Sequence, residues 1–278
     1  MQSGFYTVTG GMVTQFNRLD MISENLANSR TDGYKRKNGV VGDFLRIYQQ
    51  KRDELPIPGH TKEAAKFLNR SINRVPRLTQ EYTDFTMGPV VETGNPLDLA
   101  LGEKNLFFAV ETPQGIRLTR DGAFKLNEEG ELVTRDGFKV LSRNYFGNHQ
   151  AITIPEDAID VSIAKDGRIE YLHQTAMDTP VYLDDLMVVR VDNLQDLKAE
   201  GDNYFAMPGK KLERQMTVVT DTRAVYQHMI EKSNVNPVRE MTALIETNRL
   251  VEMYQKAMTA QMDDMNNDAI NKLASTRA

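Results

Sequence analysis

The sequence predicts an α+β fold: a β-rich central domain of antiparallel strands flanked by N- and C-terminal α-helices that pair as a coiled coil. Apolar residues recur every seven positions near both ends of the chain, the pattern of a helix seam. Between the ends lie short β-rich runs separated by Asp-Gly turn dipeptides. The 278 residues exceed the ~100–200 usual for one domain, which leaves room for a core and for separate helical ends.

In segment 5–28, Phe5, Met12, Leu19 and Leu26 form one seven-residue row, and Val8 and Ile22 occupy a second in which Gln15 takes a polar place. Gly10-Gly11 would cost ~1 kcal/mol each in a helix interior, so a bend or a late start is expected there. Asn28 is placed to close the helix in a left-handed conformation, with Ser29 to Gly33 as the turn, giving a first domain over 1–36. Residues 30–52 carry Arg30, Lys35, Arg36, Lys37, Arg46, Lys51 and Arg52 against Asp32 and Asp43 alone. With no interleaved aromatic platform, that run reads as a solvated face. Leu55 to Gly59 leaves regular structure, and 37–85 reads as an irregular extended excursion.

A β-rich core domain follows over 86–230. Its strands are expected at Leu106–Val110, Ile116–Leu118, Phe124–Leu126, Glu131–Thr134, Phe138–Leu141, Arg168–Tyr171, Val181–Val191 and Met216–Thr220, with turns at Asp121-Gly122, Asp136-Gly137 and Asp166-Gly167. This spacing suits antiparallel meanders, not βαβ crossovers. The last domain, 231–278, is a helix persisting to about Leu273 and roughly 50 Å long. Leu244, Val251, Met258 and Met265 form one heptad row; Met241, Met262 and Ala269 form the companion row, which Asn248 and Gln255 interrupt. The methionines of this helix, Met253 included, read as seam packing in preference to a promiscuous peptide groove.

The residues offer little for catalysis, and no catalytic, cofactor-binding or metal-ligating residue is assigned. With no cysteine, the chain has neither thiolate metal sites nor cysteine nucleophiles. His60, His149, His173 and His228 are scattered without ligand spacing and read as ordinary imidazoles. Asp184-Asp185 lies in a strand, where successive side chains diverge, Glu128-Glu129 lies in a turn, and Asp263-Asp264 lies on a helix flank. Phosphate-cradling, dinucleotide and nucleophile-elbow motifs are absent, and the glycines are explained by positive φ in turns. A net charge of −5 disfavours nucleic acid as a partner, and no apolar run reaches the ~18 residues of a membrane span. The start, Met1 to Tyr6, lacks the basic and apolar regions of a cleavable secretory signal, so export would need another route.

Four segments, in order, resemble the bacterial flagellar rod and hook axial proteins. The first is Leu19 to Lys35, with Asn25, Asn28, Thr31 and Gly33; the second is Thr93 to Leu101, with Asn95, Pro96 and Asp98, running into Leu106 to Val110. The third is Leu118 to Phe124, with Asp121 and Gly122, joined by Gly130 to Thr134; the fourth runs from Ser233 through Asn234, Asn236-Pro237, Arg249 and Glu252 to Lys256. Thr86 to Pro89, Asn236 to Val238 and Glu252-Met253 are more similar to a proximal-rod member, whereas Asn95 and Phe107-Phe108 are more similar to a distal-rod member.

The resemblance implies a structural subunit of the basal-body rod, exported by the flagellar type III apparatus and polymerised into the periplasm-spanning drive shaft through its terminal helices. It implies as partners further copies and other rod and hook axial proteins, with no cofactor, small-molecule substrate or direct membrane insertion. Two other classes compete with it. A glycan- or surface-binding module of phage-tail or adhesin type would expose clustered aromatics, and the chain has no Trp. A wall hydrolase would need paired carboxylates at a defined separation.

Overall fold

The structure is a computed structural model; it describes residues 2–43, 76–145, 151–174, 176–201, 203–207, 216–218 and 224–275. These form two compact units: one draws on Met1–Ala27, Lys37–Tyr82 and Asn236–Ala278, the other on Asn28–Arg36 and Thr83–Val235.

The first unit is helical, with one added strand pair. Its N-terminal helix, Gln2–Ala27, runs unbroken through Gly10-Gly11, so the expected bend or late start does not occur. Packing supplies the reason: a Cβ at Gly11 would lie 2.6 Å from the Tyr254 ring of the C-terminal helix, so the glycine is a notch that admits an aromatic knob. Nor does Asn28 adopt a left-handed conformation; the helix tightens into a 3₁₀ turn, Asn28–Arg30. Ile22 is buried and Val8, Met12, Gln15, Leu19 and Leu26 are half-buried, while the side chain of Phe5 lies outside the described residues.

The C-terminal helix, Pro237–Ser275, spans 39 residues, about 58 Å at the standard rise. Val251 is buried and Leu244 and Met258 are half-buried, as the first heptad row requires, although Met265 at its far end is exposed. In the single chain the companion row is not Met241 and Met262, which are 51% and 48% exposed. It is Glu240, Thr247, Tyr254 and Gln261, each buried or half-buried. Hydrophobicity pointed to the methionines, but the flank that packs carries polar and aromatic side chains, of which Tyr254 meets the notch at Gly11. Lys37–Asp43 and Pro76–Thr83 form a two-stranded sheet, so both described margins of the 37–85 excursion are regular; its interior lies outside the described residues.

The second unit is built on Leu106–Thr112. This strand pairs antiparallel with Gly115–Thr119, Lys139–Val140 and Val188–Val191. The sheet continues through Tyr204–Ala206 and Lys198–Ala199 on one side and Leu132–Val133 and Lys125–Leu126 on the other, with Met216–Val218 beside Val188–Val191. Every residue from Leu106 to Val110 is buried. Leu106, Phe108 and Val110 enter one apolar cluster with Leu99, Phe124 and Ile169, while Phe107 and Ala109 enter another with Phe85, Met187 and Phe205. Strand alternation therefore places apolar layers on both faces of the sheet, which explains why this segment reads as a continuous apolar run. Phe85, Phe107 and Phe205 meet edge-on or tilted at 5.2–5.9 Å between ring centroids.

A three-stranded antiparallel sheet, Ala158–Ile163, Arg168–His173 and Ala176–Asp185, belongs to the same unit. The run expected as one strand, Val181–Val191, is thus two, Ala176–Asp185 and Val188–Val191, which enter different sheets. Asp121-Gly122 is not a positive-φ turn either. A Cβ on Gly122 would lie 1.8 Å from the Leu99 carbonyl oxygen, so this glycine permits a close strand approach, and the Leu99 N–H donates to the Gly122 oxygen at 2.9 Å. Among the described residues no helix is long and apolar enough to cross a membrane.

The notch at Gly11 makes a signed expectation. Gly11→Ala adds ~1 kcal/mol of helix propensity yet drives a methyl into the Tyr254 ring, so the full chain should melt lower than wild type. In a Tyr254→Ala background the same change should stabilise. Thermal unfolding followed by helical circular dichroism reads both signs; a destabilisation of equal size in the two backgrounds would show that the ring contact is not the cause.

Candidate structural site: a buried ion lattice

The second unit contains a charged cluster that its own apolar core does not explain. Glu231 ends the strand Met229–Glu231, paired with Val90–Glu92. Its carboxylate accepts from Lys35 Nζ at 2.5 Å and from the Gly88 N–H at 2.9 Å on Oε1, and from Arg120 Nε at 2.9 Å on Oε2, with a second Arg120 contact through Nη2. Arg120 also donates through Nη1 to the Glu103 and Leu106 carbonyls, each at 2.6 Å, and lies beside the Phe107 ring. Lys35 donates further to the Thr86 carbonyl at 2.9 Å. Side-chain exposure is 0% for Lys35 and Arg120 and 1% for Glu231.

The solvated-face reading of residues 30–52 therefore fails at Lys35. A buried cation is tolerable only where partners replace its water, and here a carboxylate and a carbonyl do so. Burial lowers the Lys35 pKa to about 8, against the pull of Glu231. Burial acts to raise that of Glu231, but Arg120 and Lys35 outweigh it and hold the carboxyl below its usual range. At neutral pH all three groups are ionised.

A second, reciprocal set of contacts lies alongside. Asp32 accepts from Lys232 Nζ at 2.6 Å and from Arg135, and the Asp32 carbonyl accepts from Asn203 Nδ2 at 2.8 Å. The Gly33 N–H donates to the Glu231 carbonyl at 2.7 Å. Gly33 has φ +68°, and a Cβ there would sit 2.4 Å from the Asp121 nitrogen, so only glycine fits. Segments 32–35 and 231–232 thus exchange charges: an acid and a base from each meet their opposites in the other.

The remaining motif residues sort by place. Asn25 is buried in the helical unit, where its amide accepts from the Lys37 N–H and donates to the Lys37 carbonyl, both at 2.8 Å. Asn28 receives the Thr31 hydroxyl at 3.1 Å. In the β unit, Asn95 donates to Asp98 at 3.0 Å, the Asp98 carboxylate also receives the Thr93 hydroxyl at 2.6 Å, and the Pro96 carbonyl receives Gln227 Nε2 at 2.9 Å. Asp121 accepts from the Ala123 N–H at 3.0 Å. Asn234 accepts from the Arg36 N–H at 2.7 Å. Arg249 and Glu252 are exposed on the C-terminal helix.

Sequence reasoning missed Glu231, which lies two residues before the segment carrying the fourth resemblance. The available signal was the pair of cations, Lys35 and Arg120, inside otherwise apolar or turn-forming motifs. His173 meets Asp157 at 2.5 Å, and His228 has φ +61° and accepts through its carbonyl from the Thr93 N–H; His60 and His149 lie outside the described residues. Among the described residues no group of three metal-capable side chains converges.

Two outcomes follow. Glu231→Gln leaves two buried cations uncompensated and should destabilise the β unit by about 3–5 kcal/mol in denaturant unfolding of the full chain; a loss below ~1 kcal/mol, the size of an exposed pair, would contradict the burial argument. Asp121 has its pKa raised to about 6, mainly by burial. Between about pH 4 and 6 the folded chain then binds more protons here than the unfolded chain. Asp121's contribution is complete below about pH 4 and lost as pH rises through 6. Asp121→Asn should remove that slope, so the stability difference should move in the variant's favour from pH 4 to pH 7.

Comparison with known proteins places this lattice. Residues 5–35 match the model described as flagella basal body rod protein, 104–171 the FlgE/F/G hook protein D1 domain, and 226–272 the C-terminal segment of the FlgEFG basal body rod proteins. Lys35, Arg120 and Glu231 fall one in each of the three segments. The chain is 33% identical to the basal-body rod protein FlgG of Agrobacterium fabrum over 252 residues, covering 90% of this chain and 91% of that protein. It is 31% identical to FlgF of Caulobacter vibrioides, covering 93% of each chain. Against FlgG of Buchnera aphidicola it is 30% identical, covering 90% of this chain and 92% of the relative. Relatives of both rod names appear, and they lend no support to a glycan-binding module. The chain belongs to the flagellar basal-body rod proteins, a structural family, and is a structural subunit of the rod.

Proposed function

We propose that this rod subunit is exported by the flagellar type III apparatus without a cleaved signal and polymerises into the periplasm-spanning drive shaft. The terminal segments, 1–36 and 231–278, make the contacts with further copies and with other rod and hook proteins, while 86–230 forms the body. The terminal helices pair as a coiled coil, and the subunit acts without catalysis or cofactor.

The observation that carries this reading is the outer face of the C-terminal helix. Val238, Met241, Ile245, Met253, Met262 and Ile270 are all exposed in the single chain. Large apolar side chains left uncovered along one helix are stabilised only when a partner removes them from water, at ~1.5–3 kcal/mol for each one fully buried. The row of Leu244, Val251 and Met258 serves the chain itself, and the methionine row serves its neighbours. Helices with so little intrinsic drive can also remain open during passage through a narrow channel and order on assembly.

The test is incorporation. Met241→Lys with Met262→Lys should give a chain that folds with wild-type stability and is exported, yet is absent from purified basal bodies and does not restore swimming to a deletion strain. Asp263→Asn, on the exposed flank, is the control and should assemble normally. Normal swimming from the double variant would exclude this face as the assembly surface.

A further inference from the structure

The chain crosses the boundary of the β unit at 27/28, 36/37, 82/83 and 235/236, and on the β side the last three passages meet at one side chain. Asn234 Oδ1 accepts from the Arg36 N–H at 2.7 Å. Its Nδ2 donates to the Asp84 carbonyl at 2.8 Å, the Thr86 carbonyl at 3.0 Å and the Thr86 hydroxyl at 3.1 Å. The Asp84 N–H closes the ring on the Arg36 carbonyl at 2.8 Å, and the Asn234 N–H reaches the Tyr34 carbonyl at 3.4 Å. The partners fix the amide's orientation, because a backbone N–H on one side requires the oxygen there and two carbonyls on the other require the nitrogen. No other side chain has an acceptor and two donor hydrogens in one plane except glutamine, which is one carbon too long for this ring.

We propose that Asn234 is a positioning residue: a node that locks three of the four boundary passages of the β unit into one joint, so that load reaching the unit along them enters at a single rigid point instead of along three loose strands. The load role rests on the rod reading; the node itself does not. The Glu231 lattice holds segments 32–35 and 231–232 together inside the unit, whereas Asn234 holds the last residues before the chain leaves it.

Amide hydrogen exchange of the full-length chain separates the node from general stability. In Asn234→Ala, exchange at Arg36 should rise on the order of tenfold, the factor expected for loss of one hydrogen bond of ordinary strength, while Ala109 in the central strand stays protected. In Asn234→Asp the acceptor survives and the donors do not. Arg36 should then remain protected while 83–88 becomes more susceptible to limited proteolysis. Unchanged exchange at Arg36 in Asn234→Ala, or equal acceleration at Arg36 and Ala109, would overturn the node. In a deletion strain complemented with Asn234→Ala, swimming should be retained in dilute medium and lost in viscous medium; wild-type swimming under viscous load would overturn the load role. If the wild-type chain itself failed to restore swimming, the rod reading would fail while the exchange result still decided the node.

Discussion

Glu231 joins the N-terminal and the C-terminal segments of the β unit through a single buried carboxylate. Its carboxylate meets Lys35, 196 positions earlier in the chain, and Arg120, 111 earlier, with no water-exposed side chain among the three. Two cations and an anion removed from solvent gain stability only as a complete set, because each depends on the others for what water would supply. Arg120 extends the set by donating to the Glu103 and Leu106 carbonyls, which fixes the entry to the central strand. Both end segments of the β unit and the middle of its main sheet are thereby held through one carboxylate.

That arrangement decides which stretch of sequence can fold as a unit. Asn28–Arg36 belongs with Thr83–Val235, although forty-six residues assigned to the helical unit separate them. A chain cut at residue 37 would lose Lys35, Asp32 and Gly33 together, leaving Glu231 with Arg120 and the Gly88 N–H and Lys232 without its acid. The local hairpins around Leu106–Thr112 close short loops and should form early, whereas the lattice closes long ones and should form last.

Much of the architecture was legible because it depends on local pattern. Seven-residue spacing located the row of Leu244, Val251 and Met258, and the run Leu106 to Val110 announced a strand buried on both faces. Spacing alone does not say which flank of a heptad row packs: in the single chain it is Glu240, Thr247 and Tyr254, the last of which meets the notch at Gly11, a complementarity of shape that hydrophobicity does not register. Strands such as Leu99–Leu101 and Val225–Gln227 are only three residues long and owe their form to each other, across more than a hundred residues of sequence. The motif residues Gly33, Asp121, Gly122 and Asn234 were legible by resemblance, but their purpose was not. Gly33 abuts the Arg120-Asp121 backbone, and Asn234 binds a backbone 198 positions away. Glu231 had no local signal, since a carboxylate at the end of a short strand normally faces water and only a distant pair of cations explains its burial.

The most direct test is a double-mutant cycle on Lys35→Met and Glu231→Leu, read by denaturant unfolding of the full chain. Glu231→Leu strands Lys35 and Arg120 without their carboxylate, Lys35→Met leaves Glu231 to Arg120, and the double variant removes both ends of the Lys35–Glu231 contact. The account expects the double variant to be less damaged than the sum of the singles by about 1.5–3 kcal/mol, the range of groups in direct contact. Effects that add to within ~0.5 kcal/mol, as they do for independent sites, would contradict the claim that one buried carboxylate ties the ends of the β unit together.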